Sequence, residues 1–425
     1  MSLLSVACAG TLRAQQVWKV FSGGGPGVHF TDLPPAVAAA APGDEIWVYS
    51  QVGAFWSYTP TIITRGIRIV GFKTGSPPNS TGPSSASFDG LFVIVGLPAG
   101  EQVTLSNLNV WQAMSGDPAG IVAVDCAGDI VIEGCGTSAY PLPYPPFSGS
   151  ALHHRVHFEN CANVVIHGST FVMYGSPLTA INTNLRFLSS EVLYGPALQN
   201  CYFCPINYLV PTEGIRLVDS NMTMVSSVIH GGSPTSANQG WPAQPAAVLA
   251  DSSLVVGPHS RLYGGGSSPG SLASAYTASP ASTVAIDHRA VVNGIPSAGL
   301  PSPVWMSSIA TPWVVGGQPY DILVSGEPGG FAVVASGDWA PVALPTAIGG
   351  LSLVPSTMVF SEILPLGPPT VFSPGGDAAL TLDCPVTAPV AHPFALQAMT
   401  LAPSGMIELS EPAVFTVAWP RNRTP

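Results

Sequence analysis

Along residues 63–294 the apolar and polar positions fall into one phrase that keeps returning. It reads ITRGIRIVGF from Ile63, GEQVTLSNLNVW from Gly100, AGDIVIEGCGTSAY from Ala127 and CANVVIHGSTFVMYG from Cys161. It returns as NTNLRFLSSEVLYG from Asn182, DSNMTMVSSVIHGG from Asp219, DSSLVVGPHSRLYGGG from Asp251 and ASTVAIDHRAVVNG from Ala281. Each copy has a polar start, an apolar–x–apolar strand of period two, a Ser/Gly/Asn corner, a second apolar step and often a closing Gly. Intervals of roughly 20 to 40 residues mark a solenoid, because one copy cannot bury its apolar face alone and stacked copies can.

Ahead of the phrase, FTDLPPAVAAAAPGDEIWVYS predicts one short helix and then the first strand. Asp32 is its N-cap, Pro34 and Pro35 sit in the first turn, where missing N–H groups cost little, and Pro42-Gly43 ends it. Leu33, Val37 and Ala40 give the helix an apolar face that can cover the open end of a solenoid. The segment FTDL…AVAAAAPGDEIWV followed by ITRGIRIVG resembles the N-terminal cap and first turns of right-handed parallel β-helix proteins, the pectate-lyase-like superfamily. The resemblance covers residues 17–295 and implies a coil of three parallel sheets around a dry, stacked aliphatic interior.

The phrase stops after Gly294, and the Pro-rich IPSAGLPSPVW follows as a boundary. Beyond residue 305, YDILVSG, GFAVVASG, GLSLVPS, TMVFSEIL, AALTLDC, FALQAMTL and AVFTVAW are short strands between Pro/Gly turns, the pattern of a β-sandwich. GGLSLVP and FALQAMTLAPSGMIELSEPAVFTV resemble a C-terminal sandwich of exported, uncharacterised planctomycete-type bacterial proteins. That likeness implies a role in attachment, sorting or assembly. The expected class is all-β: a signal remnant at 1–14, a capped parallel β-helix at 15–300 and a sandwich at 305–425.

Composition sharpens this picture. Only 8% of the 425 residues are charged, against roughly 25% in an ordinary globular chain. Gly and Pro are abundant (46 and 44), yet 46% hydrophobic content argues against disorder and for short strands joined by tight corners. Net charge is −11 and the lysines are Lys19 and Lys73 alone, so a phosphate-neutralising nucleic-acid surface is excluded. No apolar run reaches the ~20 residues of a spanning helix. MSLLSVACAGTLRA resembles the end of a secretory signal, with Leu12-Arg13-Ala14 before Gln15 as a cleavage site, which places the protein outside the cell or on its surface. In an oxidising compartment Cys126 and Cys161, which begin equivalent phrases, can pair or simply stack.

Candidate chemistry is sparse. Asp125, Glu159 with Asn160, Asn182, Asp219 and Asp251 precede successive strands and would form a polar column. Such a column caps turns, binds calcium or supplies a carboxylate pair for glycoside cleavage. His259 and Arg261, with Asp287, His288 and Arg289, occupy neighbouring corners, so Asp251, Arg261, Asp287, His288 and Arg289 are the catalytic candidates. The lyases resembled here use an Arg or Lys base with calcium-held carboxylates, but no family motif matches residue by residue. In ALHHRVHFEN, strand alternation puts His153, Arg155, His157 and Glu159 on one face, so His153, His157 and Glu159 are the candidate metal ligands. Tyr140, Tyr144 and Phe147 in AYPLPYPPFSG, and the aromatics Trp47, Tyr49, Phe55, Trp56 and Tyr58 near the cap, suit sugar stacking.

The expected function is that of an exported, non-enzymatic β-helix protein with a structural, adhesive or glycan-binding role. The expected partner is a polysaccharide or cell-surface component, without nucleic acid or membrane span. No cofactor is expected, calcium being the alternative. The rival functions are a polysaccharide lyase or glycoside hydrolase working on the outer face of the coil, and a self-assembling surface or filament subunit.

Overall fold

The computed structural model describes residues 15–51, 58–74, 86–89, 91–112, 120–139, 155–173, 177–194, 212–233, 242–266, 272–294, 302–304, 306, 308–310, 319–347, 349–368, 376–383 and 393–416. The recurring phrase is one turn of a parallel β-helix. Each turn crosses sheet I (for example Leu178–Ile181), sheet II (Asn184–Leu188) and sheet III (Glu191–Tyr194). The next turn stacks in register, with Leu178↔Ile215, Asn184↔Asn221 and Glu191↔Val228 paired in parallel. The long strands Gly120–Glu133 and Arg155–His167 serve sheets I and II in succession.

Alternation sorts the side chains. In Asn184–Leu188 the side chains of Leu185 and Phe187 point inward and join one core that runs from Val20 to Tyr276, while Asn184 and Arg186 point out. The α-helix Leu33–Ala39 lies over the first turns, with Asp32 accepting from the Leu33 N–H at 2.7 Å. Leu33, Ala36, Val37 and Ala40 are buried on the core, and Asp44 is buried beside them, accepting from the backbone of Gln16 and Ala41 and from Trp18 Nε1.

Two columns of corners turn the chain. Asp125, Asn160, Asn182, Asp219 and Asp251 have φ of 55, 53, 46, 48 and 50° between sheets I and II. Asn107, Gly134, Gly168, Ser189, Ser226 and His259 have φ of 53, 57, 57, 46, 50 and 58° between sheets II and III. A left-handed residue costs least with Gly, Asn or Asp, which explains the first column and the Asn107, Gly134 and Gly168 corners of the second; Ser189, Ser226 and His259 adopt it without that advantage. After each of these corners except Asn107, which precedes Leu108, comes a buried hydroxyl or thiol. In the second column Ser169 N, Ser190 N and Ser227 N donate to the Oγ of Ser190, Ser227 and Ser260 at 3.1, 3.1 and 3.4 Å. Ser190 Oγ and Ser227 Oγ donate in turn to the carbonyls two residues back, Leu188 O at 2.7 Å and Val225 O at 2.8 Å, and Ser260 Oγ donates to Met224 O of the preceding turn at 3.3 Å. The first column repeats this through Thr183, Ser220 and Ser252. Backbone N–H groups left unpaired where strands break at a corner are thus satisfied inside a dry core.

Cys126, Cys135 and Cys161 are rungs of the same ladders, buried as free thiols. Cys126 and Cys161 pair in register, and Cys161 N donates to Thr183 Oγ1 at 3.2 Å. Burial pushes the Cys135 thiol up to about 12.

The coil ends in a knot. Asp287 is fully buried, bound by both Nε and Nη2 of Arg289 at 2.9 Å, by the Arg289 N–H and by the Met306 N–H. A last parallel strand, Ser302–Val304, pairs with Ala285–Asp287, within the Pro-rich segment that follows Gly294.

The described residues from Ser308 onward form the β-sandwich. Ser308–Ala310, Pro319–Gly326 and Gly376–Asp383 form one antiparallel sheet. Phe331–Thr346, Pro393–Leu401, Ile407–Leu409 and Ala413–Thr416 form the centre of the other. They close on a small core that includes Ile322, Val324, Ala332, Val334, Leu396 and Ala398. The second sheet folds back against the coil. Val131, Val165 and Leu188 of sheet II pack on Ala335, Trp339, Leu353 and Ala395, and Arg186 pairs with Glu411 and donates to Ser352 Oγ.

Candidate functional site

The outer face of sheet II carries three rows of side chains, fixed by the strand registers. Row one is Asp129, Asn163, Asn184 and Asn221; row two is Val131, Val165, Arg186 and Thr223; row three is Glu133, His167, Leu188 and Val225. The sandwich covers row three and the apolar part of row two. Row one stays outside, and a groove of about 230 Å³ runs along the seam, lined by Asn163, Val165, Asn184, Arg186, Asn221 and Thr223 among others.

The asparagines are linked. Asn163 Nδ2 donates to Asp129 Oδ1 at 2.9 Å, Asn184 Nδ2 to Ala162 O at 3.0 Å and Asn221 Nδ2 to Asn184 Oδ1 at 3.0 Å. These bonds fix the rotamers. A carboxamide offers two N–H donors and two lone pairs, so each keeps capacity for a ligand. Stacked strands repeat every ~4.8 Å, so the row is a set of donors and acceptors spaced at about the length of one sugar ring. Arg186 ends the groove with its guanidinium held by Glu411 and Ser352, a fixed donor with its charge already balanced.

The covered side of the seam is electrostatically tense. His167 packs against Trp339 with the rings tilted by 53° and their centroids 5.2 Å apart, and burial lowers its pKa to about 4, partly offset by a hydrogen bond with the Val414 backbone. His167 Nδ1 and Trp339 Nε1 are buried without a hydrogen-bond partner. Glu133, next to His167 across the strand pair, is pushed up by burial, with Arg68 and a Ser106 hydrogen bond working against the shift.

The residues singled out from sequence separate. Asp125, Asn160, Asn182, Asp219 and Asp251 form the expected column, each in the left-handed conformation. Asp125 accepts from Asn160 Nδ2 at 2.8 Å and Asp251 from Ser279 Oγ at 2.8 Å. Amides stand between Asp125 and Asp219 in the column, and among the described residues no three His, Cys, Asp or Glu side chains gather as a metal set. At the opposite edge of sheet II, His259 and the Asp287–Arg289 pair do meet, and burial followed by the Arg289 charge lowers the His259 pKa. Arg261 and His288 are exposed nearby, whereas Asp251 lies a full strand away, before Ser253–Val256.

His157 and Glu159 share the outer face of sheet I as alternation requires, with His157 Nε2 3.2 Å from Glu159 Oε2 and the imidazole buried. His153 lies outside the described residues, as do Tyr140, Tyr144, Phe147 and the signal-like segment 1–14. Near the cap, Trp47, Tyr49 and Phe72 form an aromatic cluster on the outer face of sheet II, with Lys19 Nζ 5.5 Å from the Trp47 ring.

The groove residues were not among the sequence candidates, though they are in plain view. The third letter of CAN, NTN and DSN is the row-one asparagine: Asn184 and Asn221 lie two positions past their corners, outward by alternation, and Asn163 three past Asn160, where the strand register shifts. Arg186 is the outward x of NLRFL. What the repeat does not encode is that a distant sandwich holds the Arg186 guanidinium at the end of the groove, through Glu411 and Ser352.

Neither a protein-family model nor a curated protein matches the chain. Among solved structures it is similar to the enzymatically active domain of tailspike protein 4 from bacteriophage CBA120, at 12% identity and a TM-score of 0.29, over 88% of this chain and 64% of that one.

Proposed function

We propose that the protein is an exported glycan-binding β-helix that holds an extended, uncharged polysaccharide in the seam groove without cleaving it. The row Asn163, Asn184 and Asn221 carries this reading: fixed carboxamides at one-sugar spacing beside a guanidinium and the Thr223 hydroxyl. Two facts favour a neutral ligand. The guanidinium is already paired with Glu411, and a chain of net charge −11 repels polyanions. Binding rather than turnover follows from the state of the best acid candidate. Asp287 is enclosed by Arg289 and the Met306 N–H, so using it as a base would dismantle the end of the coil.

Affinity electrophoresis against neutral glucans and mannans, pectin and alginate, with a reducing-end assay alongside, tests the proposal. Retention by a neutral glycan is expected, weakened at least tenfold in Asn184→Ala and Asn221→Ala, with no new reducing ends. Retention only by pectin or alginate, or unchanged retention in both variants, overturns the groove. New reducing ends, or unsaturated products lost in Asp251→Asn or Arg261→Ala, would establish the lyase or hydrolase instead.

A further inference from the structure

The sheet of the sandwich that docks on the coil presents one continuous outer face, and only part of it is covered. Its side chains lie in rows across the strands. At the docked end Ala335, Ala395 and Trp339 are buried against Val131, Val165 and Leu188. At the free end Phe331, Leu401 and Ile407 stand in one row by register. They are 48, 42 and 42% exposed, with Met399 of the next row 38% exposed. Ala332 and Val334, which alternate with Phe331, are buried in the sandwich, so the exposed residues are not core positions turned outward by chance. Phe360, opposite Ala335 on the edge strand, is 62% exposed and extends the patch. Two half-open phenylalanines alone leave on the order of 200 Å² of apolar surface in water, and a contiguous patch of this kind marks an interaction surface.

We infer that this free end is the contact between two copies of the chain, paired about a twofold axis. The face continues the interface by which the sandwich already grips its own coil, and it has the same aliphatic and aromatic chemistry. A net charge of −11 makes copies repel one another. The rows Phe331–Leu401–Ile407 and Val333–Met399–Leu409 contain no charged side chain, so this is a place where two copies can meet without placing like charges together. The coil sets the geometry. It occupies the docked end, so a second copy can approach only from the free end, with the axis running across the strands along the first row. In such an isologous contact each residue near the axis faces its own counterpart. Leu401, in the middle strand, faces Leu401 of the second copy.

The self-facing geometry gives the test. Sedimentation velocity on the full chain is expected to show a species of twice the chain mass that persists on dilution into the micromolar range. Leu401→Asp and Leu401→Lys each set like charges face to face, and each is expected to sediment as a folded monomer with an unchanged circular dichroism spectrum. Mixed in equal amounts, the two variants are expected to recover the dimer, because Asp then faces Lys. A wild-type chain that stays monomeric at high concentration overturns the inference, including one that stays monomeric while its free end takes up a lipid vesicle or a glycan. So do single variants that remain dimeric, and so does a mixture that stays monomeric while both components are folded. None of these results depends on glycan retention by the groove.

Discussion

The coil and the sandwich are both β-structures, yet they hold themselves together by different means. The coil has one unbroken core from Val20 to Tyr276, in which each turn is buried by its two neighbours and corner hydroxyls close the backbone hydrogen bonds. The sandwich has a small core, much of it Ala and Val, and its outer face depends on the coil for cover. A repeat array is stabilised by nearest-neighbour contacts and can lose one locally, whereas a small two-layer domain has few contacts to spare. The coil is therefore the scaffold and the sandwich the dependent part. The groove sits where the two meet.

The comparison can be broken most strongly inside the coil. Phe187→Ala empties a fully buried aromatic site between two turns and is expected to cost about 3–5 kcal/mol, seen as a lowered midpoint in thermal unfolding. A loss below 1 kcal/mol would mean that the turns do not share one core. Next comes the seam. Trp339→Ala is expected to weaken docking by about 2–4 kcal/mol, so that calorimetry resolves an early transition of the sandwich from a later, unshifted one of the coil. A single transition lowered as a whole would show the two parts to be equal partners. Ser190→Ala leaves the Ser169 N–H without its acceptor inside the core, at an expected cost of about 1–3 kcal/mol. Ser190→Cys should lose less, since Cys126, Cys135 and Cys161 already serve as rungs.

The smallest effect is that of pH on the seam. His167 has its pKa lowered from 6.5 to about 4 in the docked protein, so the docked form favours the neutral ring. Its contribution is complete above pH 6.5 and is lost as pH falls toward 4. Glu133, raised by burial, acts in the opposite sense: the docked state prefers it protonated, and its penalty fades on acidification. The two partly cancel. Glu133→Gln should therefore sharpen the acid-induced release of the sandwich, followed by Trp339 fluorescence, and His167→Phe should abolish it.

Much of this molecule was legible in its sequence. The phrase from Asn182 gives the strand, corner, strand and corner of one turn almost letter by letter, because period two, left-handed Asn and small corner residues are local rules. Asp32 and the two prolines after it announce the cap for the same reason. The docking of the sandwich was not legible, since Val165, Leu188 and Trp339 look like any other strand residues until a distant surface covers two of them. The site was missed for a related cause. Acidic and imidazole groups draw attention by type, yet Asp251 and Asp287 prove to occupy opposite edges of one sheet. The amides that line the groove matter only through their row and their neighbour.

A parallel coil can be regarded as a polymer whose monomer is a single turn. Each added turn presents the same unpaired strand edge as the last, so growth has no natural end, and a bare tip can recruit any extended chain that reaches it. Leu33–Ala39 and the Asp287–Arg289–Met306 knot are in that sense terminators, one at each tip. The Asp287 carboxylate accepts from Arg289 and from the Met306 N–H, just past the last parallel strand, Ser302–Val304, and so holds that strand against the coil. The conspicuous acid of this chain is thus committed to fixing the segment that carries the last described parallel strand, and not to a reaction or a ligand.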